Sequence, residues 1–186
     1  MIGNFSRCFE WLMEHEGGFV NHLSDPGGMT NWGVTKATYE RFTWRSVTKA
    51  EMRSLTQDDV RPIYRQMYWD KVRGDDLPAG VDWCVFDFAV NAGISRAIKM
   101  LQAASGSAAD GIIGPNTLLA VERNDPEALI SNYSTMRQAY YESLTDLFKT
   151  FGRGWTRRVE ETREQALGLS GAAPGALETF SSGTGP

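Results

Sequence analysis

A mostly α-helical fold with one small irregular or β-hairpin segment is the class this sequence predicts. Apolar residues recur at helical spacing through most of the chain, as Phe5, Cys8, Phe9, Leu12 and Met13 do at i, i+3, i+4, i+7 and i+8. Helix-start residues stand ahead of such stretches at Thr35, Thr48, Thr56, Ser95 and Asp125. One stretch breaks the pattern: EHEGGFVNHLSDPGGMTNWGVT, Glu14 to Thr35, is rich in glycine and has no helical period.

Taken in order, residues 5–13 form the first amphipathic helix. Continuing its spacing puts Glu16 over the apolar stripe and Glu14 on the opposite side. Gly17-Gly18 then ends the helix through a left-handed cap. Thr35 caps a short helix that ends near Thr43, and Thr48 with Glu51 forms a capping box for another that ends near Leu55. Thr56 starts a helix over 57–69 with Val60, Ile63, Tyr64 and Met67 inward, and Pro62 kinks or divides it. The segment 75–78 is a loop. Residues 81–92 are the most apolar helix, and Asp87 and Asn91 share one of its faces at i, i+4. Ser95 caps the next helix, to Gln102, and Pro115 opens another that runs to about Glu122. Asp125-Pro126 begins the longest helix, to about Lys149; Gly152-Arg153-Gly154 breaks it, and a charged helix follows over 155–167. The rest, GLSGAAPGALETFSSGTGP, has the composition of a disordered tail. The expected division is a region 1–94, a helical region 95–167 packed on it, and the tail 168–186.

The unusual chemistry lies in the irregular stretch. A carboxylate at the end of an apolar helix face is desolvated, which raises its pKa and keeps it protonated for general-acid work. A last-turn Glu turned to solvent, or a buried Glu paired with an arginine, fits the same position. Nine residues on, Asp25-Pro26-Gly27-Gly28 is a tight turn carrying a second carboxylate, and Thr30 follows. An acid facing a second oxygen-bearing group across a cleft is what glycoside hydrolysis requires: one protonates the leaving oxygen, the other handles water or stabilises the oxocarbenium-like transition state. Asp25 suits that task and also the plainer one of starting a turn. Trp32, Tyr68 and Trp69 offer faces for sugar stacking, although Tyr and Trp at helical spacing equally fit a core.

These residues resemble a known family. E-G-G-F-V-N and D-P-G-G-M-T-N-W-G-V-T, then Y-R-Q-M-Y-W-D (Tyr64 to Asp70) and D-F-A-V-N-A-G (Asp87 to Gly93), are similar to the N-acetylmuramidases of glycoside hydrolase family 108. L-Q-A-A and D-G-I-I-G-P-N-T-L resemble the peptidoglycan-binding segment that commonly follows. The resemblance covers roughly residues 5 to 165. It implies a lysozyme-like helical fold and cleavage of the β-1,4 bond between N-acetylmuramic acid and N-acetylglucosamine in bacterial peptidoglycan. By the family's motif Glu16 is the catalytic acid, and Asp25 and Thr30 are its partners. Substrate contacts are expected at Trp32, Thr35, Tyr68, Trp69 and Asn91. Two departures are visible: Phe19 stands where Tyr is usual, and His22-Leu23-Ser24 replaces the usual spacer. The alternatives left open are a lytic transglycosylase using the same Glu, and a non-catalytic wall-binding or secretion-assisting protein.

Composition narrows the field further. A net charge of −4 without a basic stripe excludes a nucleic-acid partner. No apolar run reaches 18 residues, so no membrane-spanning helix is expected. With two cysteines, both on apolar stripes, and two histidines, the chain has neither a disulfide scaffold nor the ligand set of a zinc amidase. The expectation is a monomer with no cofactor and no metal. The N-terminus lacks the apolar region of a signal peptide, so the expected location is the host cytoplasm until a holin or a secretion system gives access to the wall.

Overall fold

The structure, a computed structural model, describes residues 3–20 and 28–171. Nine α-helices and one two-stranded antiparallel sheet make up the described residues, which bears out the mostly α class with a small hairpin. The helices are α1 (Asn4–His15), α2 (Lys36–Thr43), α3 (Lys49–Ser54), α4 (Gln57–Tyr64), α5 (Val81–Ala92), α6 (Ile94–Ser105), α7 (Pro115–Glu122), α8 (Pro126–Ser143) and α9 (Thr145–Ser170). The strands are β1 (Thr30–Asn31) and β2 (Val34–Thr35).

Helix α5 is the axis of the molecule. Every residue from Val81 to Ala89 is buried, so over that length it has no solvent face, as a helix apolar all round should not. Helices α1, α6, α8 and α9 pack around it. Helix α1 buries the stripe its sequence spells, Phe5, Cys8, Phe9, Leu12 and Met13. Phe5 and Phe9 lie in an aromatic cluster with Tyr64, Trp69 and Phe86. Both cysteines are free and buried, and burial pushes the Cys84 thiol up to about 12, so it packs as a small apolar group.

Local capping chemistry sets most boundaries. Thr35 Oγ1 accepts from Thr38 N, and Thr48 with Glu51 and Thr56 with Asp59 each form a capping box. Pro62 lacks an N–H, and α4 gives way to a π-helical turn, Arg65–Trp69, that Asp70 N closes onto Arg65 O at 2.9 Å. A 3-10 turn, Gly74–Asp76, precedes α5.

Four expectations are corrected. Helix α1 ends because Glu16 turns extended (φ −86°, ψ 134°), and neither Gly17 nor Gly18 adopts positive φ. Ser95 lies inside α6, whose start is Gly93 without a side-chain cap. The chain bends at Leu144 rather than at Gly152–Gly154: α9 runs unbroken through both glycines, neither of which adopts positive φ, and Gly152 lies against the Phe148 ring, where an added Cβ would sit 2.9 Å from its carbons. Residues 168–170, placed in the tail by composition, are the last turn of α9; positions 172–186 lie outside the described residues.

Candidate active site

The site is built where the end of α1 meets the hairpin. Val20 and Thr30 exchange backbone hydrogen bonds (2.8 and 2.9 Å), which fastens the strand leaving Glu16 alongside β1. The hairpin turn is two residues long. Trp32 and Gly33 have φ of 48° and 71°, both left-handed, as a primed two-residue turn needs. Such a φ strains a tryptophan, and its own contacts offset that cost. Trp32 Nε1 donates to Leu55 O (2.8 Å), and its carbonyl accepts from the Tyr64 hydroxyl (3.0 Å). Asn31, buried, donates to the carbonyls of Met52, Arg53 and Leu55 at the open end of α3. The hairpin is thereby fixed against α3 and α4 before any ligand is present.

Gly33 is where these parts converge. An added Cβ there would meet the Tyr64 hydroxyl and fall 2.5 Å from Glu16 Oε2, so only a glycine lets the acid and the phenol approach this turn. The Glu16 carboxyl is half-buried. Burial raises its pKa; Arg158 pulls it down, and Asp87 adds to the rise. Burial and the nearby Glu16 likewise push up the hydroxyls of Tyr64 and Tyr68, whose rings stack at 5.7 Å. A carboxylic acid beside two neutral phenols, its pKa raised by desolvation, is suited to donating a proton to an oxygen placed against it.

Behind the acid lies a charge cluster. Asp87, buried on α5, takes Arg137 Nη1 at 2.6 Å and Arg158 Nη2 at 2.7 Å. Burial alone would raise the Asp87 carboxyl, but the two guanidiniums more than offset it and hold it below the usual carboxylate range. Asp87 therefore ties α5 to side chains of α8 and α9.

The remaining sequence-predicted residues divide. Thr30 on β1 and Trp32 in its turn are partly exposed at the hairpin, and Tyr68 is partly exposed over Tyr64. Thr35 is the α2 cap and also bonds Thr38 Oγ1 at 3.0 Å, which commits its hydroxyl to the helix start. Asn91 is exposed and donates back to Asp87 O (2.7 Å). Trp69 is corrected as a substrate contact: it is fully buried against Phe5 and Phe86 and spends its Nε1–H on Asp75, so it has no face for a sugar. Asp25 lies outside the described residues. Sequence reasoning missed Gly33 and Arg158 and took Tyr64 as simple core. The Gly after Trp32 signals a tight turn, but nothing local to Arg158 reports a partner 71 positions away. Among the described residues, no group of three or more His, Cys, Asp or Glu could hold a metal ion, and no helix is long and apolar enough to cross a membrane.

Residues 9–93 match the family described as Glycosyl hydrolase 108, and residues 96–160 match a Predicted Peptidoglycan domain. Among solved structures the chain is similar to SagA of Brucella abortus, with 45% identity over 91% of this chain and 97% of that one, and a TM-score of 0.79. No curated protein matches. The matched regions together span the hairpin, Glu16 and the charge cluster, and the relative is alike over nearly its whole length, so the chain belongs to the glycosyl hydrolase 108 family and is a glycoside hydrolase acting on peptidoglycan.

Proposed function

We propose that the chain is an N-acetylmuramidase: it hydrolyses the β-1,4 bond between N-acetylmuramic acid and N-acetylglucosamine, with Glu16 as the general acid. The observation that carries this is the half-buried Glu16 carboxyl, its pKa raised by desolvation, set against Gly33 and Tyr64 in a glycoside hydrolase. Glu16 gives its proton to the glycosidic oxygen as that bond breaks, and positive charge develops on the sugar ring. Asp25 and Thr30 handle the attacking water or stabilise that charge from the far face. Trp32 and Tyr68 stack on the sugars, and Asn91 lines the cleft. The protein acts as a monomer on the wall, which it reaches through a holin or a secretion system.

Glu16→Gln tests the acid, because a carboxamide cannot donate the proton. The expected loss is roughly 10²–10⁴-fold in rate on purified peptidoglycan, with the fold kept. Glu14→Gln, at an exposed site, is the control. A folded Glu16→Gln protein that digests wall near the parent rate would remove Glu16 from the mechanism. Mass spectrometry of the products separates hydrolysis from its rival: reducible muramic ends mean water attacked, whereas anhydro ends, lighter by one water, mean the substrate's own hydroxyl did.

A further inference from the structure

Tyr64 is the side chain that the acid and the hairpin share. It is the last residue of α4 and is buried, with its ring 5.7 Å from that of Phe9 and 5.7 Å from that of Tyr68. Its hydroxyl and Glu16 Oε2 converge on one point, the place where a Cβ on Gly33 would stand. Glu16 Oε2 is 2.5 Å from that point and the hydroxyl is no further off, so the two oxygens are at most 5.0 Å apart (2 × 2.5). A tyrosine so placed would ordinarily donate its proton to the carboxylate and favour the ionised form. Here the proton is already taken. The hydroxyl donates to Trp32 O at 3.0 Å, and a carbonyl can only accept, so the direction of that bond is fixed. Among the described residues no hydrogen bond within 3.5 Å joins Tyr64 to Glu16. The left-handed turn at Trp32 (φ 48°) sets where its carbonyl points, and the bond from Trp32 Nε1 to Leu55 O (2.8 Å) holds the turn. What the phenol presents to Glu16 is its oxygen, the negative end of the O–H dipole.

We propose that Tyr64 is a positioning residue of the catalytic centre: with its proton committed to the Trp32 carbonyl, it turns its oxygen to Glu16 and favours the protonated carboxyl over the ionised one. This rests on Glu16 being the acid. The negative end of a dipole facing a carboxyl disfavours the anion, and the poorly solvated surroundings strengthen that effect. The other titratable groups around Glu16 are Tyr68 from the π-helical turn, Asp87 from α5, Arg158 from α9, and the neighbouring His15, whose Nε2 lies 3.7 Å from Glu161 Oε2 of α9. The hairpin thereby does more than enclose the acid. By taking the phenol's proton on its turn carbonyl, it decides which end of the nearest hydroxyl the acid meets.

The test is the pH profile of kcat/KM for the full chain on purified peptidoglycan, for the parent, Tyr64→Phe and Trp32→Phe, with a thermal melt of each. Activity falls on the alkaline side as Glu16 loses its proton. Tyr64→Phe removes the oxygen and moves that limb to lower pH, and each pH unit of displacement lowers the rate along the limb about tenfold. More apolar surroundings alone would move it the other way. Trp32→Phe loosens the hairpin by removing the bond to Leu55 O but leaves the phenol and the turn carbonyl, so its limb stays near the parent's. An unmoved or raised limb in Tyr64→Phe overturns the proposal. So does an equal downward shift in Trp32→Phe, which would assign the effect to a looser hairpin. Should either variant fail to fold, NMR of the Tyr64 hydroxyl proton in the parent decides, over the same pH range. A proton that holds its position while Glu16 ionises has stayed on Trp32 O and supports the proposal; one that moves downfield has turned to the carboxylate and overturns it. Glu16→Gln separates the two readings. If that variant stays active, the acid assignment fails; if it is inactive while Tyr64→Phe keeps the parent limb, only this proposal does.

Discussion

Gly33→Ala isolates the geometry of the acid from the stability of the fold. An alanine Cβ at Gly33 falls 2.5 Å from Glu16 Oε2, against 3.4 Å for the near edge of ordinary contact. The carboxyl must therefore retreat by roughly 0.9 Å (3.4 − 2.5) or the turn must move by as much. A displacement of about 1 Å at a reacting group costs on the order of 10²-fold in rate. The substitution also strains the backbone, because Gly33 has φ 71°. That strain is about 1–2 kcal/mol, or roughly 2–8 °C of melting temperature for a chain of this size. Gly106→Ala supplies the control: its φ is 78°, and an added Cβ there meets nothing within 4 Å. Both variants should lose stability from strain, Gly33→Ala the more because its Cβ also meets the Tyr64 hydroxyl, and only Gly33→Ala should lose turnover. The assay is initial rate on purified peptidoglycan at saturating substrate, beside a circular-dichroism melt. Equal rates for the two variants would refute the close approach of turn and acid as a catalytic requirement.

Two further outcomes follow from burial and charge. Because burial raises the folded pKa of Glu16 above its ordinary value, its proton stabilises the fold at low pH, and ionisation above the folded pKa costs stability. Glu16→Gln should thus melt higher than the parent at neutral pH, and the gain should shrink as pH falls through the folded pKa and be gone below the unfolded one; a lower melting temperature at neutral pH would contradict the burial argument. Trp69→Ala should cost about 3–5 kcal/mol as a core deletion, whereas Tyr68→Ala, at a half-exposed ring, should weaken substrate binding more than stability; the reverse pattern in melts and KM would exchange their roles.

How far the site was legible depended on the range of the interactions involved. The capping box at Thr48, the cap at Thr56 and the stripe from Phe5 to Met13 are local, so their residues announced them. Glu16 was placed facing inward by a helical spacing that it does not follow. It leaves the helix in extended form, and the hairpin, through Gly33, gives it its neighbours. Trp69 shows the opposite failure: it has the composition of a sugar platform, but the cluster of Phe5 and Phe86 that buries it is assembled only by folding. The two arginines on Asp87 come from 50 and 71 positions away (137 − 87 and 158 − 87), beyond any spacing argument. Gly152 misled because glycine marks a helix end only where the backbone turns; here it marks a close approach.

Helix α5 begins at Gly80, whose φ is 87° and whose missing side chain leaves room for the backbone of Ala166 on α9. That contact joins the centre of the molecule to a point 86 residues further along the chain (166 − 80). A ribosome makes the N-terminal part first, at about 5–20 residues per second. Between the last residue of the hydrolase match, 93, and Ala166 lie 73 positions (166 − 93), so roughly 4–15 s pass before α9 can dock. During that interval the nascent chain carries its acid without the helix that closes behind it. Ribosome-stalled chains ending before and after residue 166 would reveal this timing, since only the longer ones should resist protease at the end of α1.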